Sequence, residues 1–499
     1  MKKIITIIKS KLLTLLLLMI TTIAIKGQEF HVETPGTLQE VIGDGAEDLT
    51  YIKVTGTLNN QDIDFLHHLC WPLDQKAANM KADDYLKMSK EKEDNSRTNL
   101  RYLDLEDARM VNDALPDDAF APSYLYDIKL PQNLKKIGKG AFGSSVFLKQ
   151  LIIPESVEEI GERLLYYSTN TEKVRLPDNL EVLNRALFSN CWHLKEVNVP
   201  SKLRVIYDGV FEGCPDINRS VTKLPETLEI WDGTPYTGYE WFQEIVVPKN
   251  VKILQNAFFN MLELRKVTIL TEKLTEIGFN TFFNCTSLEE LYIPGKITRI
   301  GEGAFYGCSR LKKINIPSTV TRIEKHAFER APLETIDIPA GVSFIGKGAF
   351  GKNKNLKILY SRPITPPSTT EWTEEEVKYL PFQGSSAETA ILYIPKGTAT
   401  AYRTSEVFSC FKNIVELEEW QWPSSISGPN ITSDSFKVYG KDGKLNLEIE
   451  GDMNSVSANV YTIDGRSVWN GRVTNHVEIQ LPKGLYVVRS GLKTYKISL

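Results

Sequence analysis

The stretch "ITRIGEGAFYGCSRLKKINIP", residues 297–317, contains the features that decide how this chain folds. Two glycines precede an alanine–phenylalanine pair, a cysteine lies three residues after the phenylalanine, and Pro317 closes a short apolar alternation. The alternation predicts a half-buried strand with Ile314 and Ile316 inward and Asn315 outward. Because proline has no N–H to donate, we expect Pro317 to end that strand.

The same arrangement recurs along the chain with a period of about 23 residues. Its prolines are Pro131, Pro154, Pro177, Pro200, Pro225, Pro248, Pro294, Pro317 and Pro339, and Leu270 stands where one more is expected. Its phenylalanines are Phe142, Phe188, Phe211, Phe258, Phe282, Phe305, Phe328 and Phe350. One copy cannot bury its apolar side alone, whereas stacked copies share a core. The sequence therefore predicts a repeat solenoid, mainly β with short turns and helices.

The pattern L-x-x-I-x-I-P-x-x-V-x-x-I-G-x-G-A-F-x-x-C-x-x-L resembles the BspA-like leucine-rich repeat family of exported surface proteins. The resemblance covers roughly residues 100 to 415. Upstream segments, including "LTYIKVTGTLNNQDIDFLHHL", resemble degenerate first coils that cap the core. The resemblance implies adhesion to host or partner-cell proteins, or binding to extracellular-matrix proteins, and it implies no enzymatic activity.

Five segments are expected along the chain. Residues 1–27 combine early lysines with a short apolar run, as a secretory signal peptide does, and an uncleaved membrane anchor is the alternative. Residues 28–124 are predicted to be an N-terminal cap with degenerate first repeats, and residues 125–415 the leucine-rich repeat solenoid. Residues 416–433 are rich in proline, serine and glycine, which predicts a linker to a small β-sandwich at 434–499.

The C-terminal segment carries a second resemblance. Asp442-Gly443 and Asp464-Gly465 are hairpin-turn dipeptides between alternating runs. The stretches "YTIDGRSV" at 461–468, "KGLYVVR" at 483–489 and the final "YKISL" resemble the C-terminal sorting domain of type IX secretion substrates. That resemblance implies passage across an outer membrane, followed by release or by surface attachment after removal of the domain. A simple accessory sandwich is the alternative.

Motifs that suggest chemistry are better explained by the repeat. "GKGAFG" at 138–143 and 346–351 matches a dinucleotide fingerprint, but it lies at one phase of the repeat and not between a strand and a helix. The adjacent His67 and His68 face different ways, so one metal ion cannot readily use both. We therefore predict no enzyme, no cofactor and no metal site.

Four cysteines, Cys191, Cys214, Cys285 and Cys308, occupy the position three residues after the repeat phenylalanine. Other copies have Ser145, Met261 or Ala331 there, which favours a small or adaptable buried group over a metal ligand. Stacking of neighbouring coils brings Cys191 near Cys214, and Cys285 near Cys308. Free buried thiols and disulfides both remain open for these pairs.

The candidate binding residues are Trp231, Tyr236, Tyr239, Trp241, Tyr292 and Trp372. Most lie where the repeat breaks, in "WDGTPYTGYEWF" at 231–242 and in the acidic insertion at 366–390. Aromatic residues at such density suit partner binding or the filling of a distorted coil, and both interpretations remain open. The outward strand residues alternate in charge sign, which favours a solvated face.

The predicted function is an exported, monomeric, non-catalytic protein that binds extracellular protein on host or neighbouring cells. A glycan-binding module for polysaccharide capture is the alternative. The formal net charge of −4 gives no general attraction to nucleic acid. The predicted location is the cell surface, an outer-membrane association or secretion, with no transmembrane segment in the mature chain.

Overall fold

The structure is a computed structural model. It describes residues 27–71, 100–236, 239, 242–369, 379–418, 421–423, 436–441, 444–449, 456–462, 466–490 and 493–498. The predicted signal peptide lies outside these residues except for Gly27, as do Trp241, Trp372 and both predicted hairpin dipeptides. The chain divides into two compact units, residues 1–227 and 228–499.

The described part of the first unit contains two α-helices, two 3-10 turns and thirteen strands. The helices are α1 (Leu38–Ile42) and α2 (Asn60–Cys70), and the 3-10 turns span Ala46–Asp48 and Arg219–Thr222. The strands are β1 (Gly27–Val32), β2 (Tyr51–Leu58), β3 (Tyr102–Asp104), β4 (Ala108–Met110), β5 (Ala114–Leu115), β6 (Asp127–Lys129), β7 (Lys136–Ile137), β8 (Gln150–Ile152), β9 (Glu159–Ile160), β10 (Lys173–Arg175), β11 (Val182–Leu183), β12 (Glu196–Val197) and β13 (Val205–Ile206).

These strands pair in parallel, as stacked turns of a solenoid do. One sheet has the order β1-β2-β3-β6 with β4 beside β2, a second β5-β7-β9 and a third β8-β10-β12. Strands β11 and β13 also pair, with Val182 opposite Val205, 23 residues along the chain. The predicted cap helix is α2, and its Asp62 carboxylate accepts hydrogen bonds from the backbone of Gly36 at 2.7 Å and of Leu38 at 2.9 Å.

The described solenoid part of the second unit contains α3 (Ala399–Thr404) and thirteen more strands. They are β14 (Ile230–Asp232), β15 (Glu244–Val247), β16 (Ile253–Gln255), β17 (Lys266–Ile269), β18 (Glu276–Ile277), β19 (Glu290–Leu291), β20 (Arg299–Ile300), β21 (Arg322–Ile323), β22 (Thr335–Ile338), β23 (Phe344–Ile345), β24 (Ile358–Ser361), β25 (Ile391–Pro395) and β26 (Asn413–Leu417). Parallel pairing gives β14 with β16, and the sheets β15-β17-β19, β18-β20-β21-β23 and β22-β24-β25-β26.

Buried phenylalanine rings stack from turn to turn, as the repeat predicts. In the second unit Phe258, Phe282, Phe305, Phe328, Phe350 and Phe382 stack in that order, with neighbouring ring centroids 5.1 to 5.3 Å apart. In the first unit Phe120 stacks on Phe142 at 5.8 Å and Phe188 on Phe211 at 5.7 Å. Ring spacing close to the strand spacing of about 4.8 Å keeps the core continuous.

The two glycines of "IGEGAF" have different structural roles. A Cβ on Gly301 would lie 2.8 Å from the backbone of Gly278 in the preceding turn, so only glycine allows the turns to approach this closely. Gly303 has a φ of +62°, which an L side chain rarely adopts. In the preceding turn Asn280 takes the same left-handed conformation. Close approach and backbone reversal therefore account for the glycines that resemble a phosphate-binding loop.

The predicted strand at Ile314–Ile316 is wrong, because residues 311–317 contain no strand. Ile314 and Ile316 are buried as expected, but Asn315 is also buried, at 8% exposed. The Asn315 side chain donates to the Ile293 carbonyl at 2.9 Å and accepts from the Ile293 N–H at 2.9 Å. A side-chain amide thus replaces the backbone partner that a strand would supply, and Asn198 does the same for Leu176.

The C-terminal segment forms two antiparallel sheets around a core of its own. Its strands are β27 (Phe436–Lys441), β28 (Lys444–Ile449), β29 (Val456–Thr462), β30 (Ser467–Val473), β31 (His476–Gln480), β32 (Leu485–Ser490) and β33 (Lys493–Ser498). The sheet orders are β27-β28-β31 and β30-β29-β32-β33. Leu445, Leu447, Val460 and Val488 are among the buried residues of the shared core. The predicted small β-sandwich is confirmed.

Candidate binding surface

An exposed apolar patch lies on the outward side of β15, β17 and the segment that follows β19. Val246 lies opposite Thr268, and the register of β17 with β19 places Tyr292 next in the same row. Val246 is 49% exposed, Leu270 50% and Tyr292 50%, while Thr268 is partly exposed. We call Val246, Thr268, Leu270 and Tyr292 the apolar patch.

Leu270 belongs to the patch because it replaces a repeat proline. Its backbone N–H donates to the Val247 carbonyl at 3.1 Å, a hydrogen bond that proline cannot make. The strand β17 runs through four residues to Ile269, as β15 does before Pro248, and the next side chain that faces outward is that of Leu270. Loss of the proline therefore adds an exposed aliphatic side chain to this face.

Within the described part of the chain, the ring of Tyr292 is not stacked on a neighbouring ring, unlike the rings of Tyr360 and Tyr393 on the same face. Thr268 precedes it in the row, and Asn315 follows it with its amide turned to the backbone of Ile293. On the third and fourth turns after Tyr292, Tyr360 and Tyr393 cover each other, with ring centroids 5.0 Å apart. Among the described residues no aromatic ring stacks on Tyr292, so its faces remain available to a partner.

Charged side chains of this face mostly pair between neighbouring turns. The pairs include Lys195–Glu172 at 2.9 Å, Arg310–Glu289 at 3.1 Å and Lys357–Glu334 at 2.8 Å. Lys312 and Lys313 are exposed, and no carboxylate of the described residues forms an ion pair with either. The hydrogen bond from Lys357 is the main cause that lowers the pKa of Glu334, and the charges of Lys312 and Lys313 make smaller contributions in the same direction. Positive charge therefore lies beside the apolar patch.

Three of the six sequence-predicted binding residues are buried. Trp231 and Tyr236 are 0% exposed and Tyr239 is 8% exposed. The Trp231 ring packs on Phe258 with centroids 5.0 Å apart, and Tyr236 stacks on Phe242 at 5.0 Å. Burial also raises the pKa of the Tyr236 hydroxyl. In this structure the aromatic side chains fill a distorted coil, whereas Tyr292 faces solvent and Trp241 and Trp372 lie outside the described residues.

A buried carboxylate holds a tyrosine of the acidic insertion at 366–390 against the solenoid. Glu329 accepts hydrogen bonds from Lys352 at 2.7 Å and Tyr379 at 2.9 Å, and its other oxygen pairs with His326 at 2.6 Å. Burial alone would raise the pKa of Glu329, but the three hydrogen bonds and the Lys352 charge lower it to about 2. A Cβ on Gly351 would lie 2.9 Å from the Tyr379 hydroxyl, so "GKGAFG" at 346–351 leaves room for this tyrosine. The cluster is a structural anchor.

The buried cysteines belong to a row of hydrogen-bond donors. The thiols of Cys191, Cys214, Cys285 and Cys308 donate to the carbonyls of Leu165, Phe188, Phe258 and Phe282, each one turn earlier, at 3.0 to 3.2 Å. Ser145 and Ser168 do the same to Phe120 and Phe142. All six cysteines are free thiols in the structure, and burial raises the pKa of Cys191. The sequence pattern missed this donor role because Met261 and Ala331 share the position.

The histidine pair is structural in the arrangement seen here. His67 contacts the Pro122 carbonyl at 3.0 Å and His68 the Asp64 carbonyl at 2.6 Å, so the two rings point to different partners. Burial lowers the pKa of His67. Within the described residues no three His, Cys, Asp or Glu side chains are placed to hold a metal ion. Nor does any described helix have the length and apolar character needed to cross a membrane.

Part of the strand face near β24 is covered by the chain itself. Arg362 pairs through two nitrogens with Asp337 at 2.6 and 2.7 Å, and it also donates to the Pro423 carbonyl at 2.8 Å. The Arg362 guanidinium lies 5.1 Å from the centre of the Trp422 ring, which is 6.2 Å from the Tyr360 ring. Beyond this cover, Val415 lies opposite Tyr393 in the same row and is 42% exposed.

Short parallel strands, a repeat of about 23 residues and a stacked aromatic core define a leucine-rich repeat solenoid. Residues 113–233 and 236–357 match the family model described as BspA type Leucine rich repeat region, in six copies. Both units therefore contain repeats of this type, as the sequence resemblance indicated. No curated protein matches the chain.

Solved bacterial structures with similar folds include a leucine-rich repeat protein from Bacteroides ovatus. It is 21% identical, with a TM-score of 0.50, and the match covers 75% of this chain and 85% of that one. The pneumococcal vaccine antigen PcpA matches at 20% identity and a TM-score of 0.37, over 65% of this chain and 86% of its own. A leucine-rich cell surface protein of Faecalibacterium prausnitzii matches at 18% and 0.31, over 61% and 83%. The first of these likenesses supports the fold.

Proposed function

We propose that this protein is exported and that its solenoid mediates adhesion by binding proteins on host or neighbouring cells. The exposed apolar patch around Tyr292 is the observation that carries the proposal. Contiguous apolar side chains exposed on a strand face, with charged residues around them, are typical of protein-binding surfaces. Leucine-rich repeat proteins of this family are in general protein-binding scaffolds and not enzymes, which supports the same conclusion.

A binding experiment tests this function directly. The chain without residues 1–27 is immobilised and exposed to purified extracellular-matrix proteins and to host-cell surface extracts. We expect saturable binding that a soluble copy of the same chain competes away. Absence of competed binding to every matrix protein and every surface extract would contradict the adhesion function.

Export and surface attachment form the second part of the proposal. Residues 1–27 would direct export, and the β-sandwich at 434–499 would serve as the sorting or attachment domain. The sandwich has its own buried core, which is consistent with a separately recognised domain. Deletion of 434–499 should abolish surface display, measured by antibody labelling of intact cells, while the truncated chain is still produced. Unchanged display would contradict the sorting role.

A further inference from the structure

We propose that the apolar patch, together with Lys312 and Lys313, binds an extended segment of a partner protein in which carboxylates flank an apolar or aromatic side chain. This inference rests on the proposed adhesion function and names the chemistry of its partner. It is drawn from the described residues 243–317 alone.

The apolar half of the surface is contiguous. Val246, Thr268 and Tyr292 lie on three successive turns, so they span two strand spacings, or roughly 10 Å. Leu270 widens the row by one outward position beyond Thr268. A row of this length matches a few residues of an extended chain, whose alternate side chains face one side.

The charged residues beside the row alternate in sign from turn to turn. Glu244 lies on the first turn, Arg265 and Lys266 on the second, Glu289 and Glu290 on the turn of Tyr292, and Lys312 and Lys313 on the turn after it. Glu289 pairs with Arg310 at 3.1 Å and Glu334 with Lys357 at 2.8 Å, whereas within the described residues Lys312 and Lys313 form no ion pair. These two lysines therefore offer unpaired positive charge next to the turn of Tyr292, and carboxylates of a bound segment would lie over them.

The same residues favour a protein segment over a sugar. Glycans stack on aromatic faces, whereas Val246 and Leu270 offer aliphatic side chains with about half of their surface exposed. Trp231, one of the candidate aromatic residues on which a glycan could stack, is 0% exposed. A partner with an apolar or aromatic anchor beside carboxylates complements both halves of the surface.

The test uses the chain without residues 1–27 and a labelled synthetic peptide of alternating glutamate and leucine residues with one central tyrosine. Fluorescence anisotropy at low salt should show saturable binding that weakens as salt rises, since charge pairs contribute. Tyr292→Ala, and separately Lys312→Glu with Lys313→Glu, should each weaken binding by about tenfold or more. A peptide with glutamine in place of glutamate should bind weakly to every variant.

Ile152→Ala is the matched control, because Ile152 is 52% exposed at the equivalent outward position of the first unit. Its affinity for the peptide should equal that of the wild type. Absence of binding by the wild type, or equal binding by all variants, overturns the inference. If the Tyr292→Ala variant still adheres to surface proteins as the wild type does, this site is overturned and the proposed function stands. If the wild-type chain itself shows no adhesion, the proposed function is contradicted.

Discussion

At the scale of single residues, the position three residues after the repeat phenylalanine most often carries a hydrogen-bond donor, although Met261 and Ala331 occupy it without one. Thiols at Cys191 and Cys308, hydroxyls at Ser145 and Ser168, and the amide of Asn353 all donate to a buried carbonyl one turn earlier. The carbonyls of Leu165 and Phe282 thereby gain a second hydrogen-bond partner besides the N–H of their own turn. A buried acceptor with full hydrogen bonding stabilises the stack of turns.

Replacement of Cys308 tests this role. Cys308→Ala removes the donor to Phe282 and leaves a small void, so the free energy of unfolding should fall by about 1–2 kcal/mol. Cys308→Ser keeps a donor and should cost less, as measured by urea denaturation. Ala331→Ser is the reciprocal control, since Ala331 occupies the same position without a donor, and it should leave stability unchanged or higher. Equal losses for Ala and Ser at 308 would contradict the donor role.

The residue pattern predicted burial of these cysteines but could not reveal their hydrogen bonds. Cys, Ser and Asn share the ability to donate, yet Met261 and Ala331 at the same position conceal that common property. The phenylalanine row was predictable because one residue type recurs at nearly every turn. Burial of Trp231 and Tyr236 was not, because the sequence at 231–242 departs from the repeat and leaves no periodicity to place them.

At the scale of structural elements, side chains complete the solenoid where its backbone pairing is interrupted. Asn315 replaces a strand partner for Ile293, so β19 ends at Leu291 and the next strand of this face is β22 at Thr335–Ile338. Glu329 links its own turn to Lys352 on the next turn and to Tyr379 within the acidic insertion. Local polar contacts thus join elements that backbone hydrogen bonds do not.

The Glu329 anchor predicts a specific loss of stability in acid. The folded pKa of about 2 lies below the ordinary value of 4.5, so the stabilisation is fully present above pH 4.5 and is lost as pH falls toward 2. The contribution is at most about 3–4 kcal/mol, since the pKa falls by about 2.5 units and each unit corresponds to about 1.4 kcal/mol. Denaturation midpoints measured from pH 6 to pH 2 should therefore fall more steeply for the wild type than for Glu329→Gln.

Glu155→Gln serves as the control for that titration, because Glu155 pairs with Arg175 at 3.5 Å on the exposed surface. Its pH profile should follow that of the wild type. If Glu329→Gln kept the wild-type slope in acid, the stabilising role of the Glu329 cluster would be ruled out.

At the scale of the whole molecule, the fold class followed from periodicity, while the binding surface depended on exceptions to it. The 23-residue period, the phenylalanine row and the C-terminal sandwich were all predictable, because each repeats one simple pattern of burial. The apolar patch was only partly predictable. Tyr292 was named from the sequence, but Leu270 and the unpaired lysines become informative only when the register of the turns is known.

The separate core of the sandwich predicts that it can be removed without unfolding the solenoid. Its buried residues, from Leu445 to Val488, pack against partners drawn from residues 438–497. A chain that ends at residue 433 should therefore unfold at a thermal midpoint within about 3 °C of that of the full chain. Unfolding is monitored by the near-ultraviolet circular dichroism of the buried aromatic residues. A chain with Leu447→Asp should lose the sandwich and keep the same midpoint. A large drop in either would show that the solenoid depends on the sandwich.

The pairing of each turn with its neighbours also limits how such a gene can lengthen. Val182 pairs with Val205 and Glu276 with Arg299, each 23 residues apart, while Lys266 pairs with Glu290 after 24 residues and Ile358 with Ile391 after 33. A duplication of one complete turn would give the new copy the same neighbours as the old, whereas a fragment of half a turn would move Gly301 or Phe305 out of its row. Unequal recombination between repeats can therefore produce longer or shorter homologues in steps of one turn, and the apolar patch would be carried along unchanged.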